Sequence, residues 1–487
     1  MLIISILFPV LLGLGILLKG SFQSRNMLLT VTGAGLAITA ALGLGVVLGG
    51  DAELMLFSFG KNLDLYFRVD TLGRLFAVVV NVVWVLSGFY AFAYMKHEQE
   101  ETRFFGFYLM VHGILHGLVF SGGMVTFYLF YELMTLLSVP LILHNRSQDA
   151  IKGGLKYLFY SLFGAYLVLF GLFFLNRFAD TLTFLPGGTL NPAAVAGNEA
   201  LMLAVAFSMI LGFSVKAGMF PLHAWLPTAH PVAPAPASAV MSGIIVKMGV
   251  LGMIRVVYYL VGADFIRGTW VQTVWMSLAL LTVFMGSMLA YREKIMKKRL
   301  AYSTVSQASY ILFGLSLLQP QAMTGALLHV VFHGVIKSCL FLSAGAIIYK
   351  THKTNVEELR GIGKEMPVAI WCYTFASAAL IGIPPASGFI SKWYLATGAL
   401  ASGTGIFSWL GPAVLLTSAL LTAGYLLPVT VNGFLPGADY AYDKLEKKEP
   451  CLTMLIPLLI LAALAVLLGV FPNPLTEYIQ TIAAAVL

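Results

Sequence analysis

The chain has 487 residues, 59% of them hydrophobic and 10% charged, and a net charge of +8. Its mean hydropathy is +0.89. Soluble domains carry about 25% charged residues, so this composition excludes a soluble enzyme or a nucleic-acid-binding module and reads as a polytopic membrane protein.

A spanning helix needs about 20 mainly apolar residues. By that measure the sequence predicts an all-α integral membrane protein with fourteen spans, at 1–18, 27–49, 70–95, 104–121, 122–144, 155–178, 200–221, 237–261, 268–291, 300–318, 323–349, 367–400, 408–432 and 451–471. The first stretch, MLIISILFPVLLGLGILLKG, lacks a basic leader and a small-residue cleavage site, so it reads as a retained span. Spans 4 and 5 run together except at Ser121-Gly122-Gly123. No loop is long enough to fold as a separate soluble domain, which leaves 1–487 as one membrane domain. Nineteen lysines and arginines fall in alternate loops; the other loops hold only Lys61, Arg68, Arg177, Arg255 and Arg267. Cationic loops stay cytoplasmic, which predicts both termini outside a cell membrane. The three cysteines, Cys339, Cys372 and Cys451, are far apart. They imply no disulfide framework, metal or cofactor.

The ionisable residues inside the spans are the informative ones. Span 4 carries His112 and His116 one turn apart, as packing histidines or as a local proton or ion site. Span 5, FYLFYELMTLLSV, places Tyr128, Glu132 and Thr135 on one stripe. Span 7 reads LMLAVAFSMILGFSVKAGMFPLHAWLPTAHP, in which Lys216 precedes a run of prolines beginning at Pro221. Span 8 holds Lys247. Span 11 sets His329, His333 and Lys337 at i, i+4 and i+8, and span 12 breaks at Pro384, Pro385 and Gly388 just before Lys392. Each charge costs about 2.5–3.5 kcal/mol at a helix centre. Any one of them could be a structural charge satisfied by a neighbouring helix, but so many in one chain point to a proton relay.

Broken helices in lipid are tolerated where they line a cavity or pack in protein. A corresponding pair of breaks marks a transport site between two repeats. Five spans separate 7 from 12, which predicts two inverted five-helix units, 104–261 (spans 4–8) and 268–432 (spans 9–13). The helices at 1–95 are peripheral to these units, and a fourteenth helix follows at 451–471.

With those residues in place, the chain resembles the antiporter-like membrane subunits shared by Mrp cation/proton antiporters, respiratory complex I (NADH:quinone oxidoreductase) and membrane-bound energy-converting hydrogenases. The resemblance covers essentially the full length. It is carried by FYELMTLLSVPLI, LKYLFYS, KAGMFPLHAWLPTAHPVAPAPASAVMSGIIVKMGVLGMIRV, KKRLAYSTVSQASYILFGL, HVVFHGVIKSCLFLSAGAI and GIPPASGFISKW. It implies that Glu132 is the essential carboxylate, Lys216 its partner and Lys247 the connecting lysine. His329 and His333 would carry the path onward, and Lys392 would be the terminal residue opening outside. Lys392 is similar to the lysine of the D-type Mrp protein. Thr228 stands where many relatives carry aspartate, and Met124 and Val125 where an acidic residue often precedes the motif; the chain also ends soon after span 14, without the long lateral helix of the largest relatives.

These readings lead to a proton-translocating, or Na+-translocating, subunit of a multisubunit complex. Its partners would be other hydrophobic subunits, with an iron–sulfur, flavin or nickel–iron peripheral arm in a redox-driven version. No redox motif is present in the chain, so any such chemistry would belong to partners. The alternative is a self-contained secondary transporter of a small solute.

Overall fold

A backbone crossing hydrocarbon has to satisfy its N–H and C=O groups internally, and the apolar stretches are helical apart from breaks after Ala217 and Ile381. The computed structural model describes residues 1–20, 22–60, 62–437, 440 and 446–487. The loop cations Lys61 and Lys444 lie outside the described residues.

The principal helices are α1 (Leu2–Lys19), α2 (Arg25–Leu48), α3 (Thr71–Tyr94), α4 (Glu101–Val119), α5 (Met124–Ile142), α6 (Gln148–Phe178) and α7 (Glu199–Ala217). They continue as α8 (Ala235–Val261), α9 (Trp270–Arg292), α10 (Met296–Ser316), α11 (Pro320–Thr351), α12 (Pro367–Ile381), α13 (Ser387–Leu400), α14 (Phe407–Phe434), α15 (Leu452–Val470) and α16 (Asn473–Val486). Among the described residues, eleven helices are long and apolar enough to cross a membrane. Helices α4 and α10 are of comparable length but more polar, and α12 resumes as α13 after a break.

Helix α8 is wholly buried and α11 nearly so, whereas α1, α2, α14 and α15 are largely exposed. On α6, Phe159, Phe163, Tyr166, Phe170 and Phe173 form an exposed stripe, as suits an outward-facing helix. The residues singled out at Lys247, His329, His333 and Lys337 therefore lie on the two innermost helices, where a polar group needs a protein partner or water.

The structure departs from the sequence expectation at several ends. Helix α6 begins at Gln148 rather than 155, because Ser147 caps it by accepting from the Ala150 N–H at 3.1 Å. The 2–3 loop forms an antiparallel hairpin, β1 (Glu53–Ser58) and β2 (Asp64–Arg68). An additional helix, α16, follows the last expected span and packs against α11. Arg255, Lys297 and Arg299, counted as loop residues, are buried on α8 and α10. Loops expected on one face do touch one another: Arg25 pairs with Glu101 and Lys294 with Glu357, both at 2.9 Å. On the opposite face the Arg68 N–H bonds the Phe120 carbonyl at 2.8 Å.

Arg255 also explains how the hairpin end of α3 is fixed. Its guanidinium clasps the Asp70 carboxylate through contacts of 2.5 and 2.9 Å. The Gly73 N–H also bonds the Asp70 carboxylate, at 2.8 Å. Asp70 is 21% exposed and Arg255 1%, so the two partners are not equivalent. Asp70→Asn, which strands a buried guanidinium, should cost about 3–5 kcal/mol, read as a lower thermal midpoint of the assembled protein. Arg255→Met leaves a carboxylate that water can reach and should cost less. An equal loss in both variants would refute the asymmetry.

Candidate functional site

Helix α7 ends immediately after Lys216. Gly218 adopts φ 79°, and the Met219 N–H turns back to the Ser214 carbonyl at 3.0 Å, a glycine-terminated helix stop. Pro221 lies in the turns that follow, before the short helix Leu226–Val232. Helix α12 stops in the same way: Gly382 takes φ 95°, and the Ile383 N–H bonds the Ala378 carbonyl at 3.0 Å. Pro384 and Pro385 occupy the gap before α13. Gly388, expected as part of the break, instead sits in the first turn of α13. A Cβ there would fall 1.9 Å from the Ala379 carbonyl oxygen, so its role is close approach of the two half-helices.

The Lys216 ammonium has three donors, and all three are used by hydroxyls. These are Thr135 at 2.9 Å, Tyr157 at 2.8 Å and Ser161 at 2.9 Å. The Tyr157 ring also lies 4.1 Å from Nζ, and its hydroxyl meets Ser138 at 2.7 Å. Glu132, the expected partner, does not bond Lys216 directly. It stands one turn from Thr135 on α5, and its Oε1 is buried with no hydrogen-bond partner among the described residues. Tyr157 and Ser161 were not assigned from sequence, although they stand four apart within LKYLFYS, one helical face. In the short helix Leu226–Val232, Thr228 accepts a hydrogen bond from Lys156 at 3.1 Å.

Lys247 lies on α8, just after a widened π-turn at Met241–Ile245. Such turns recur at functional positions. Side chains on a helix lean toward its N-terminus, and Nζ reaches back to the Ser242 carbonyl at 2.5 Å. It also meets His333 Nδ1 at 2.5 Å. The His333 ring stacks near His329, centroids 5.7 Å apart, and His329 stacks near Tyr310 at 5.5 Å. His329 Nδ1 meets the Ser391 hydroxyl at 2.9 Å.

Lys392, the next residue, donates to the Leu380 and Ile381 carbonyls at 2.7 and 2.9 Å. These are the unpaired last-turn carbonyls of broken α12, where the helix end favours a cation. Its Nζ lies 5.1 Å from the Tyr310 ring, and the side chain borders a mainly apolar cavity of about 220 Å³ with Phe389 and Trp393. Lys337 stands apart from this line, donating to the Leu300 carbonyl at 3.0 Å.

The structure thus joins Lys247, His333, His329, Ser391, Tyr310 and Lys392 by successive contacts. Lys216 forms a second centre with α5 and α6. The two centres lie on packed helices: Gly249 of α8 sits so close to α7 that a Cβ would meet the Lys216 Cβ at 2.9 Å. The acceptors of Lys216, Lys247, Lys337 and Lys392 are hydroxyls, carbonyls and an imidazole, with no carboxylate among them. Such partners can orient a protonated amine without a fixed counter-charge. The arrangement suits groups that take up and release protons, for which lysine and histidine have the needed chemistry.

Comparison with known proteins places this geometry in context. Residues 121–422 match the family profile described as NADH:quinone oxidoreductase/Mrp antiporter, TM. Residues 56–105 match that of the NADH-ubiquinone oxidoreductase (complex I) chain 5 N-terminus. The chain is 31% identical to the N-type NADH-quinone oxidoreductase subunit of Desulforudis audaxviator, over 83% of this chain and 81% of that protein. It is 26% identical to the D-type Na(+)/H(+) antiporter subunit of Alkalihalophilus pseudofirmus, over 100% of this chain and 97% of that one. The fold is shared with a chain of the Mrp complex from Dietzia sp. DQ12-45-1b, with a TM-score of 0.86 and 21% identity over 100% of this chain and 97% of the other.

Proposed function

The chain belongs to the NADH:quinone oxidoreductase/Mrp antiporter membrane-subunit family, and from that premise we propose that it moves protons across a cell membrane as one subunit of a multisubunit complex. The relay consists of Glu132, Lys216, Lys247, His333, His329 and Lys392, with Lys337 beside it. The observation that carries this reading is the set of lysines within the bundle held by neutral acceptors, one of which, Lys247, meets the imidazole of His333 between the two innermost helices. A pocket for an organic solute would gather its polar groups; here they are strung out through the bundle.

The finer architecture belongs to the same proposal. Helices α4 and α10 and the broken pair α12/α13 join the eleven long apolar helices to make fourteen spans. The segments 104–261 and 268–432 are two inverted five-helix repeats, flanked by 1–95 and 451–471. Glycine-terminated stops at Gly218 and Gly382, each followed by proline and each near a lysine, buried at Lys216 and half-buried at Lys392, support that pairing. The cation-rich loops face the cytoplasm and both termini lie outside. Other hydrophobic subunits complete the complex, and any redox chemistry resides in a peripheral arm on those partners.

The experiment is to purify the complex through this chain, identify its partners, assay iron, nickel and flavin, and reconstitute it in proteoliposomes with an internal pH dye. Proton movement driven by an imposed sodium gradient, without redox centres, identifies an antiporter. Proton movement that requires an electron donor identifies a redox-driven pump. No proton movement under either drive would overturn the proposal.

A further inference from the structure

Away from the lysine line, α1, α2, α3 and α4 enclose a second polar cluster. His112 Nε2 and His116 Nε2 both lie 3.1 Å from the same atom, Asn81 Oδ1. His116 Nδ1 lies 3.1 Å from the Ser5 carbonyl oxygen, and Asn81 Nδ2 donates to the Ala77 carbonyl at 3.0 Å. Both histidines are fully buried and Asn81 is nearly so. His112 Nδ1 has no hydrogen-bond partner among the described residues.

Counting hydrogens shows a mismatch. His116 faces an acceptor at each ring nitrogen, and a neutral imidazole has one N–H only. Turning the Asn81 amide over would supply donors to both histidines, but it would set Oδ1 against the Ala77 carbonyl. With every group neutral, one acceptor therefore faces another acceptor at about hydrogen-bond distance, whichever tautomers are chosen. One additional proton on His116 satisfies every contact: Nδ1–H to Ser5, Nε2–H to Asn81, and His112 Nε2–H to the second lone pair of the same oxygen.

We propose that Asn81, His112 and His116 form a buried proton-binding site separate from the lysine line, with the bound proton held on His116 and His112 Nδ1 as its nearest free acceptor. The two rings are 5.0 Å apart, so both histidines belong to one site. Access is tightly closed on the α2 side, where a Cβ at Gly43 would fall 2.6 Å from both Asn81 Nδ2 and His116 Cε1.

The groups facing the site from each element are few. Helix α1 offers the Ser5 carbonyl, α2 offers Gly43, and α3 offers Asn81 with Trp84, whose indole stacks near His112 at 5.9 Å. From α5, Phe130 packs at Gly117. None of these is charged, so the bound proton would be the only charge at the site among the described residues. Behind α3, Val79 and Val83 pack against Gly334 and Gly243, neighbours of His333 and Ser242. A proton at His116 is thus one helix away from the Lys247–His333 contact.

The test is ¹⁵N-histidine NMR on the full complex in lipid, titrated with acid over the range in which it stays assembled. A doubly protonated signal assigned to His116 is expected, absent in His116→Gln and retained in His333→Gln. Asn81→Asp supplies the missing counter-charge, and the doubly protonated signal should then persist to a pH about 1–3 units higher. This second variant decides the matter if His116→Gln fails to assemble. Neutral single-tautomer signals from both His112 and His116 throughout the titration, unchanged in Asn81→Asp, would overturn the proposal. Neither result depends on whether the lysine line transports protons.

Discussion

Replacing Lys216 with arginine should stop proton movement by the assembled complex as completely as replacing it with methionine, each by about 100-fold or more, the scale on which a positioned proton donor contributes. Both variants should still assemble. Two of the three hydroxyls around Nζ have other partners: Thr135 also bonds the Tyr131 carbonyl at 3.1 Å, and Tyr157 bonds Ser138. Methionine keeps the apolar stem volume. Arginine is the sharper variant because it preserves the positive charge but does not release its proton in proteins. If Lys216 carries protons, arginine is as dead as methionine. Proteoliposome transport near the wild-type rate in Lys216→Arg, with methionine inactive, would show instead that a standing charge is all the site requires.

The overall fold was readable because hydrocarbon imposes a length on each span, and runs of about 20 apolar residues are hard to disguise. The breaks were readable as well, but the prolines drew attention to the wrong residue. Gly218 and Gly382 end the helices, since a stop needs one residue at positive φ, and the prolines follow in the gaps. The hairpin at Glu53–Arg68 was hidden inside a segment read only as a loop. For the candidate site, the ionisable residues were legible because charges in apolar spans are conspicuous. Their partners were not. Tyr157, Ser161, Ser242 and Ser391 are ordinary polar residues until packing sets them against a lysine or histidine. A wholly buried helix such as α8 has no polar face, so its pattern could not show which way Lys247 points or where the helix widens. The resemblance pairs Lys216 with Glu132, and the packing sets Thr135, one turn along the same helix, against the ammonium.

The second large effect concerns the Lys247–His333 contact. Nζ and Nδ1 lie 2.5 Å apart, and the histidine stack leads from them to Ser391 and Lys392. If these groups act in series, removing either should reduce transport to the same floor, about 100-fold down. Removing both should then do no further harm. Lys247→Met, His333→Leu and the double variant make this a double-mutant cycle, whose coupling measures whether two residues belong to one unit. The expected coupling energy is large, because the second substitution acts on a path already cut. His329→Leu should show the same coupling to His333, whereas Lys337→Met should retain more activity, since its ammonium bonds the Leu300 carbonyl rather than the stack. Multiplicative losses, in which the double variant falls by the product of the singles, would place Lys247 and His333 on independent routes, and the series of contacts through His329 would then not be the path that the proton takes.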